Sequence, residues 1–379
     1  MADILIRLNG IIDVSSEPNE LVGRISTGQQ SECQIFGKEG TFCLVSNDED
    51  VIAAIGYVCH IDGDSVQATL SKILSSFDES QIGELKKKLV GQYVLLIKKG
   101  DSIYLFSDFM GTRNIFYSDD GKVISTSFSE LENILGTSAN DLDTYKVFEF
   151  LAMRHICYPS WLGRSTEHRR IKWLLPHEYL VVDTANSSYR LGSVVYSIDN
   201  KKQSDCSFLA DELLSRLKAI INRREFKDVP VAASLTGGRD SRLVAAIAAE
   251  QFRNIRFRTA VSLERVSSSK DLEVADRIAK LRGIPLDIYT FQAGRDDKRF
   301  IELTEGFTPA FNHSISPLID NAGSYSLGLG GVYGTELFIA IPWNKIDGYI
   351  QQKVENAKQS LKVEDSFWNN FCGTLHDEF

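Results

Sequence analysis

The sequence predicts two folds in succession. Stacked antiparallel β-sheets with flanking helices occupy residues 1–195, and a parallel-sheet α/β domain occupies residues 206–379. Three observations lead there. The chain has 379 residues, about twice the usual length of one domain. Its first half consists of short apolar runs joined by tight-turn signals. Its second half alternates strand and helix patterns at a period of about 30 residues, the spacing of units that build a parallel sheet covered on both faces.

Taken in order, Val51–Val58 is an apolar run between polar flanks. Tyr93–Ile97 and Ile103–Phe106 flank the turn signal Lys98-Lys99-Gly100-Asp101, and Asn114–Tyr117 and Val123–Thr126 flank Asp119-Asp120-Gly121; each set reads as a hairpin. The polar stretch Tyr196–Ser207 is the linker. Beyond it Leu209, Leu213, Leu217, Ile220 and Ile221 recur at helical spacing. Val231–Leu235 is a buried strand, followed by a glycine turn and the helix-forming run Arg242–Ala249. Ile255–Val261 is the next strand, and one of Ser267, Ser268 or Ser269 caps the helix after it. That helix carries an apolar stripe of Leu272, Ala275, Ile278 and Ala279 and stops at Gly283, ahead of strand Leu286–Tyr289.

Composition excludes several function classes. The net charge is −9, which argues against a general nucleic-acid binder, because such proteins need cations to neutralise phosphates. No apolar run approaches the ~20 residues of a membrane span, and the first residues lack the pattern of a secretory leader. A cytoplasmic protein is expected. The six cysteines (Cys33, Cys43, Cys59, Cys157, Cys206, Cys372) form no CxxC pair, and the six histidines show no HExxH-type spacing, so zinc and iron–sulfur chemistry gain no support. Cys59-His60 is no catalytic dyad, since neighbours on a strand point to opposite faces.

The chemistry concentrates in Ser234-Leu235-Thr236-Gly237-Gly238-Arg239-Asp240-Ser241. This stretch follows a strand and opens a helix. Paired glycines let backbone approach an anion, and first-turn N–H groups point at it; Thr236 and Ser241 add hydroxyls. Asp240 is an acid inside a phosphate cradle, where a bare carboxylate repels the ligand. A divalent cation bridging Asp240 and the phosphates removes the conflict. The Walker pattern GxxxxGK[ST] is absent. The plainer alternative is a tight turn whose Ser and Asp merely cap a helix.

These residues resemble the pyrophosphate-binding SGGxDS loop of the asparagine synthetase and β-lactam synthetase family. Asp271–Ala279 with Gly283-Ile284 looks like that family's second helix and the turn after it. In the first half, Gly91-Gln92-Tyr93, Asp108–Tyr117, Thr126-Ser127-Phe128 and Ile171–Leu180 resemble, in order, blocks of the attached glutaminase-type domain. The resemblance implies an Ntn-type αβ fold for that domain and an ATP-pyrophosphatase fold for the second. It also implies ATP and Mg²⁺ as cofactors, with Ser234, Leu235, Thr236, Gly237, Gly238, Asp240, Ser241 and Val261 at the nucleotide. Val261 ends the strand where such a fold places adenine.

The chain departs from that family in three places. A working glutaminase of this type exposes a cysteine after methionine removal, and here Ala2 stands there; the family's Asn-Gly-Glu element corresponds to Ile55-Gly56-Tyr57. Glutaminase activity is therefore not expected. Gly330-Gly331-Val332-Tyr333-Gly334-Thr335-Glu336-Leu337-Phe338 resembles a second catalytic loop. One alignment places Thr335 at its metal-binding acid. The preferred one, as in β-lactam synthetase, makes Tyr333 the catalytic proton acceptor and Glu336 the second metal ligand, with Gly330 and Gly331 lining the nucleotide. A core role for Tyr333 and a solvated Glu336 is the alternative. The segment after Glu336 is shorter than the family's tail; Lys345, Lys353 and Glu364 are its available charges.

The expected function is an ATP-dependent ligase without glutaminase activity. It adenylates a carboxylate of a small molecule or peptide for attack by an amine of the substrate or by free ammonia. A homodimer or a partner protein would supply missing tail contacts. The competing expectation is a non-catalytic nucleotide-binding subunit or scaffold.

Overall fold

A computed structural model describes residues 3–8, 21–26, 31–36, 42–149 (except 48, 62–64 and 137), 163–196, 206–222, 229–291, 327–329 and scattered positions from 356 to 369. The chain forms two compact units: Met1–Met153, Ser160–Lys201 and Val363–Phe379 make the first, and Arg154–Pro159 with Lys202–Lys362 make the second.

The first unit holds two six-stranded antiparallel sheets. One contains β1 (Asp3–Leu8), β2 (Leu21–Ser26), β3 (Ser31–Phe36), β8 (Phe116–Ser118), β9 (Val123–Ser125) and β10 (Ile171–Trp173) in the order β10-β8-β9-β1-β3-β2. The other contains β4 (Phe42–Ser46), β5 (Val51–His60), β6 (Leu89–Lys99), β7 (Ser102–Ser107), β11 (Glu178–Asp183) and β12 (Ser188–Ser193) in the order β12-β11-β7-β6-β5-β4. Both hairpins read from the sequence are present, as β6–β7 and β8–β9.

Alternation along the strands builds two cores, because successive side chains leave a strand on opposite faces. Ala53, Ile55, Val94, Leu96, Ile103, Leu105, Leu180 and Val182 point one way and meet Ile6, Tyr117 and Ile124 of the other sheet. Ile52, Ala54, Leu95, Ile97 and Phe106 point the other way, onto Leu70, Ile73 and Leu74 of α1 (Val66–Ser76) and Ile82 of α2 (Ile82–Lys88). On the outer face of the first sheet, α3 (Phe128–Leu135) sets Phe128 edge-on to Phe116 with ring centroids 5.3 Å apart. The layers run helix, sheet, sheet, helix, as the stacked-sheet expectation requires. Trp368 is buried in this unit and lies edge-on to Phe148 at 6.2 Å. The sequence reading places Trp368 in the second domain, whereas its contacts group it with the first unit.

The second unit contains α4 (Cys206–Ile221), β13 (Val231–Ser234), α5 (Arg239–Gln251), β14 (Ile255–Ser262), α6 (Lys270–Arg282), β15 (Leu286–Phe291) and β16 (Leu327–Leu329). The strands form a parallel sheet in the order β15-β14-β13-β16. Val231, Ala233, Leu235, Ile255 and Phe257 share one core with Leu217 and Ile221 of α4, Ala245 and Ala248 of α5, and Ala275 and Ala279 of α6. Ala232, of opposite parity on β13, is also fully buried, so that face is covered too. As the serine and glycine signals predict, Ser269 caps α6 by accepting the Leu272 N–H, and Gly283 ends it in the left-handed region at φ +63°. Among the described residues no helix is long and apolar enough to cross a membrane.

Candidate active site

The order β15-β14-β13-β16 reverses direction at β13: β14 and β15 follow on one side, and β16 lies on the other. Parallel α/β sheets bind ligands beyond the carboxyl ends of the strands at such a reversal, where loops leave in opposite directions and open a crevice. β16 ends at Leu329, paired with Ala233 of β13. The Thr236–Ser241 loop therefore leaves β13 beside the carboxyl end of β16.

The loop's shape follows from its own residues. Leu235 still donates its N–H to the Arg258 carbonyl of β14 at 2.8 Å, so the strand ladder persists to that residue. A closed ring of hydrogen bonds follows. The Gly238 N–H donates to Thr236 Oγ1 (3.0 Å), the two hydroxyls meet at 2.8 Å, and Ser241 Oγ donates to the Gly238 carbonyl (3.2 Å). Each hydroxyl has one proton, so Thr236 donates to Ser241. Ser241 Oγ also accepts the Thr236 N–H at 3.2 Å. In this conformation both hydroxyl protons hold the bend.

Gly238 is the N-cap of α5, in extended conformation (φ −67°, ψ 149°), and no side chain caps the helix there. The N-cap position thus offers no side-chain acceptor of the kind Ser269 provides to α6. Asp240 lies in this first turn and is half-buried, a position where the helix dipole favours an acid. Arg242, exposed, donates from Nε to the Gly238 carbonyl at 3.1 Å. Val261, buried, lies three residues beyond Arg258, the partner of Ser234 at the end of β13; it too stands at the carboxyl edge of the sheet.

One residue at the site carried no role in the sequence reading. Asp271, in the first turn of α6, accepts the Gly237 N–H on Oδ1 at 3.0 Å. A Cβ on Gly237 would lie 2.3 Å from that oxygen, the far end of an exposed side chain, so a substitution there displaces Asp271. The available signal was an acid just inside a serine-capped helix, but nothing local ties it to a loop 34 residues earlier.

The structure brings together Ser234, Leu235, Thr236, Gly237, Gly238, Asp240, Ser241 and Val261. Gly330, Gly331, Tyr333 and Glu336 lie outside the described residues, as do Lys345 and Lys353. The donors that are described, Asp240, Asp271 and two hydroxyls, are hard oxygens of the kind Mg²⁺ takes; that ion is usually held by one or two carboxylates together with phosphate and water oxygens. Among the described residues no group of three or more His, Cys, Asp or Glu forms a ready-made metal cage. A glycine bend leading into a helix start with no side chain at its N-cap fits a phosphate chain.

In the first unit, the site of the Asn-Gly-Glu comparison is altered in kind. Ile55 is fully buried between the sheets. Gly56, at φ +86°, is pressed so closely that a Cβ would lie 2.2 Å from the Gln92 carbonyl oxygen and 2.6 Å from Arg113 Nε. Ile55 is thus part of the core between the sheets and does not face solvent.

The second unit is a parallel α/β domain with a glycine-containing bend at the carboxyl edge of its sheet. Residues 212–318 match the family model of asparagine synthase. No curated protein matches the chain. Among solved structures, glutamine phosphoribosylpyrophosphate amidotransferase from B. subtilis aligns at 12% identity, covering 76% of this chain and 59% of that one, with a TM-score of 0.29. NH3-dependent NAD synthetase from Campylobacter jejuni aligns at 14% identity over 46% of this chain and 95% of its own, with a TM-score of 0.25. Glutamine-dependent NAD+ synthetase from Acinetobacter baumannii aligns at 14% identity over 56% and 47%, with a TM-score of 0.27. The chain thus spans about three-fifths of the amidotransferase.

Proposed function

We propose that the protein is an ATP-dependent ligase that forms an amide bond through an acyl-adenylate. The observation that carries the reading is the uncapped, glycine-lined bend at Thr236–Ser241, placed where the strand order of the parallel sheet reverses. The asparagine synthase match at 212–318 supports the same class.

In this reading the substrate carboxylate attacks the α-phosphorus of ATP. A new P–O bond forms, the bond to the β,γ-phosphates breaks, and pyrophosphate leaves into the bend. The Gly237 N–H and the first-turn amides of α5 receive the growing charge on the leaving group, already oriented before the reaction. Mg²⁺ held by Asp240, with Glu336 as second ligand, would supply the positive charge that a carboxylate-lined cradle lacks. Ser234, Leu235, Val261, Gly330 and Gly331 flank the adenosine. An amine of the substrate or free ammonia then attacks the acyl carbon; the C–N bond forms, the bond to the adenylate oxygen breaks and AMP leaves, while Tyr333 takes the amine's proton.

The first unit is proposed to be without glutaminase activity, since Ile55 and Tyr57 replace the amide and carboxylate of a glutamine pocket. A carboxylate-bearing small molecule or peptide is the proposed substrate, and the cytoplasm the proposed compartment.

The test is exchange of labelled pyrophosphate into ATP with candidate carboxylates. Carboxylate-dependent exchange is expected. ATP binding without exchange for any carboxylate would replace the ligase with a nucleotide-binding scaffold. Ammonium-dependent AMP release separates amidation from ring closure.

A further inference from the structure

We infer that Asp271 is a phosphate mimic that occupies the anion-binding bend in the resting protein and yields to a metal-complexed pyrophosphate group. This deepens the ligase reading and rests on it.

Three features of the contact lead there. Asp271 Oδ1 accepts the N–H of Gly237, in the middle of the bend, at 3.0 Å. A carboxylate oxygen on that amide offers the same acceptor and the same sign of charge as a phosphate oxygen. The oxygen also fills the space in front of the bend, since a Cβ on Gly237 would lie 2.3 Å from it. Finally, Asp271 has no capping duty in its own helix, because Ser269 already takes the Leu272 N–H.

The side chain is exposed, so it swings away without opening a core. A free pyrophosphate meets two carboxylates, Asp240 and Asp271, and must displace one against like charge. A pyrophosphate carrying Mg²⁺ meets the same acids as attractive partners. The contact therefore selects for the metal complex and keeps stray anions out of the bend. A mere loop clamp behaves oppositely: its removal loosens the bend and weakens every ligand.

The two accounts separate in direct binding measurements on the full chain, with inorganic pyrophosphate as the probe and calorimetry as the readout. Without metal, Asp271→Ala is expected to bind pyrophosphate about tenfold more tightly than the unaltered protein. Asp271→Asn, which keeps an acceptor oxygen but no charge, should fall between them. With Mg²⁺ in excess, the three should agree within about threefold. Circular dichroism and melting establish that each variant is folded, and the near-isosteric Asn variant keeps the test open if the Ala variant is not. Weaker or equal metal-free binding by both variants, while the unaltered protein binds magnesium pyrophosphate, overturns the gate and leaves the ligase reading standing. Failure of all three proteins to bind magnesium pyrophosphate or magnesium ATP overturns that reading, and the gate with it.

Discussion

At Gly237 the loop meets the Asp271 carboxylate, and at Asp240 it places an acid where phosphates are expected. Gly237→Ala displaces the Asp271 carboxylate, because a Cβ would stand 2.3 Å from Asp271 Oδ1. With that carboxylate displaced, metal-free pyrophosphate binding is expected to tighten about tenfold, as for Asp271→Ala, while the melting curve moves little. Unchanged binding would show that the bend is not the anion site. For Tyr333→Phe, adenylation should persist and amide formation should fall by more than about tenfold, measured as AMP release against product formation; equal rates would return Tyr333 to a packing role. Burial pushes the Lys86 ammonium down to about 8, although Asp108 nearby draws it back up. Its Nζ donates to the Pro176 carbonyl at 2.5 Å. The unfolded chain holds that proton up to its ordinary pKa near 10.4, so between about 8 and 10.4 the unfolded state binds more protons and folding stability rises with pH. Relative to Lys86→Met, the unaltered protein should gain about 2 kcal/mol between pH 7.5 and 10 in chemical unfolding, and parallel pH profiles would remove burial as the cause. The glycine, hydroxyl and acid pattern of the loop was legible because residue types carry their chemistry at any position. Asp271 was not, because its link to Gly237 exists only once α6 has folded against the sheet.

Helix α6 shows what local sequence decides. Its serine cap, its stripe of Ala275 and Ala279, and its stop at Gly283 were all readable, because caps and turns act over three or four residues. At φ +63° with open space around its Cβ position, Gly283 is required by backbone conformation alone. Gly283→Ala should cost about 1 kcal/mol in chemical unfolding, the ordinary penalty for a left-handed alanine; no change would mean that the chain end of α6 relaxes freely. The hairpins β6–β7 and β8–β9 were legible for the same reason. Sheet order was not. β1 lies between β3 and β9, pairing Leu5 with Ser125 and Ile6 with Ile124, and no turn signal specifies a partner over 100 residues away in the chain. Such pairings are fixed by which faces bury together, a property of the assembled layers.

Across the whole molecule, the stacked sheets and the parallel sheet were predictable from two different apolar periods. The distribution of the chain between units was less so. Trp368 is buried against the first unit although the sequence before it belongs to the second. Trp368→Ala should destabilise that unit by about 3 kcal/mol in chemical unfolding, the range for a buried aromatic, and a negligible effect would show that this contact is peripheral. A single tryptophan in a polar tail carries no label of its destination, so only packing reveals it. Strand order, a helix start without an N-cap side chain and a glycine held by Asp271 converge on one bend, the proposed seat of the phosphates of ATP. Calorimetric titration of the full chain with magnesium ATP tests this most directly, with Asp240→Ala as the control. The account predicts saturable one-site binding by the unaltered protein and its loss in a folded Asp240→Ala variant; no binding by the former, or equal binding by both, would contradict it.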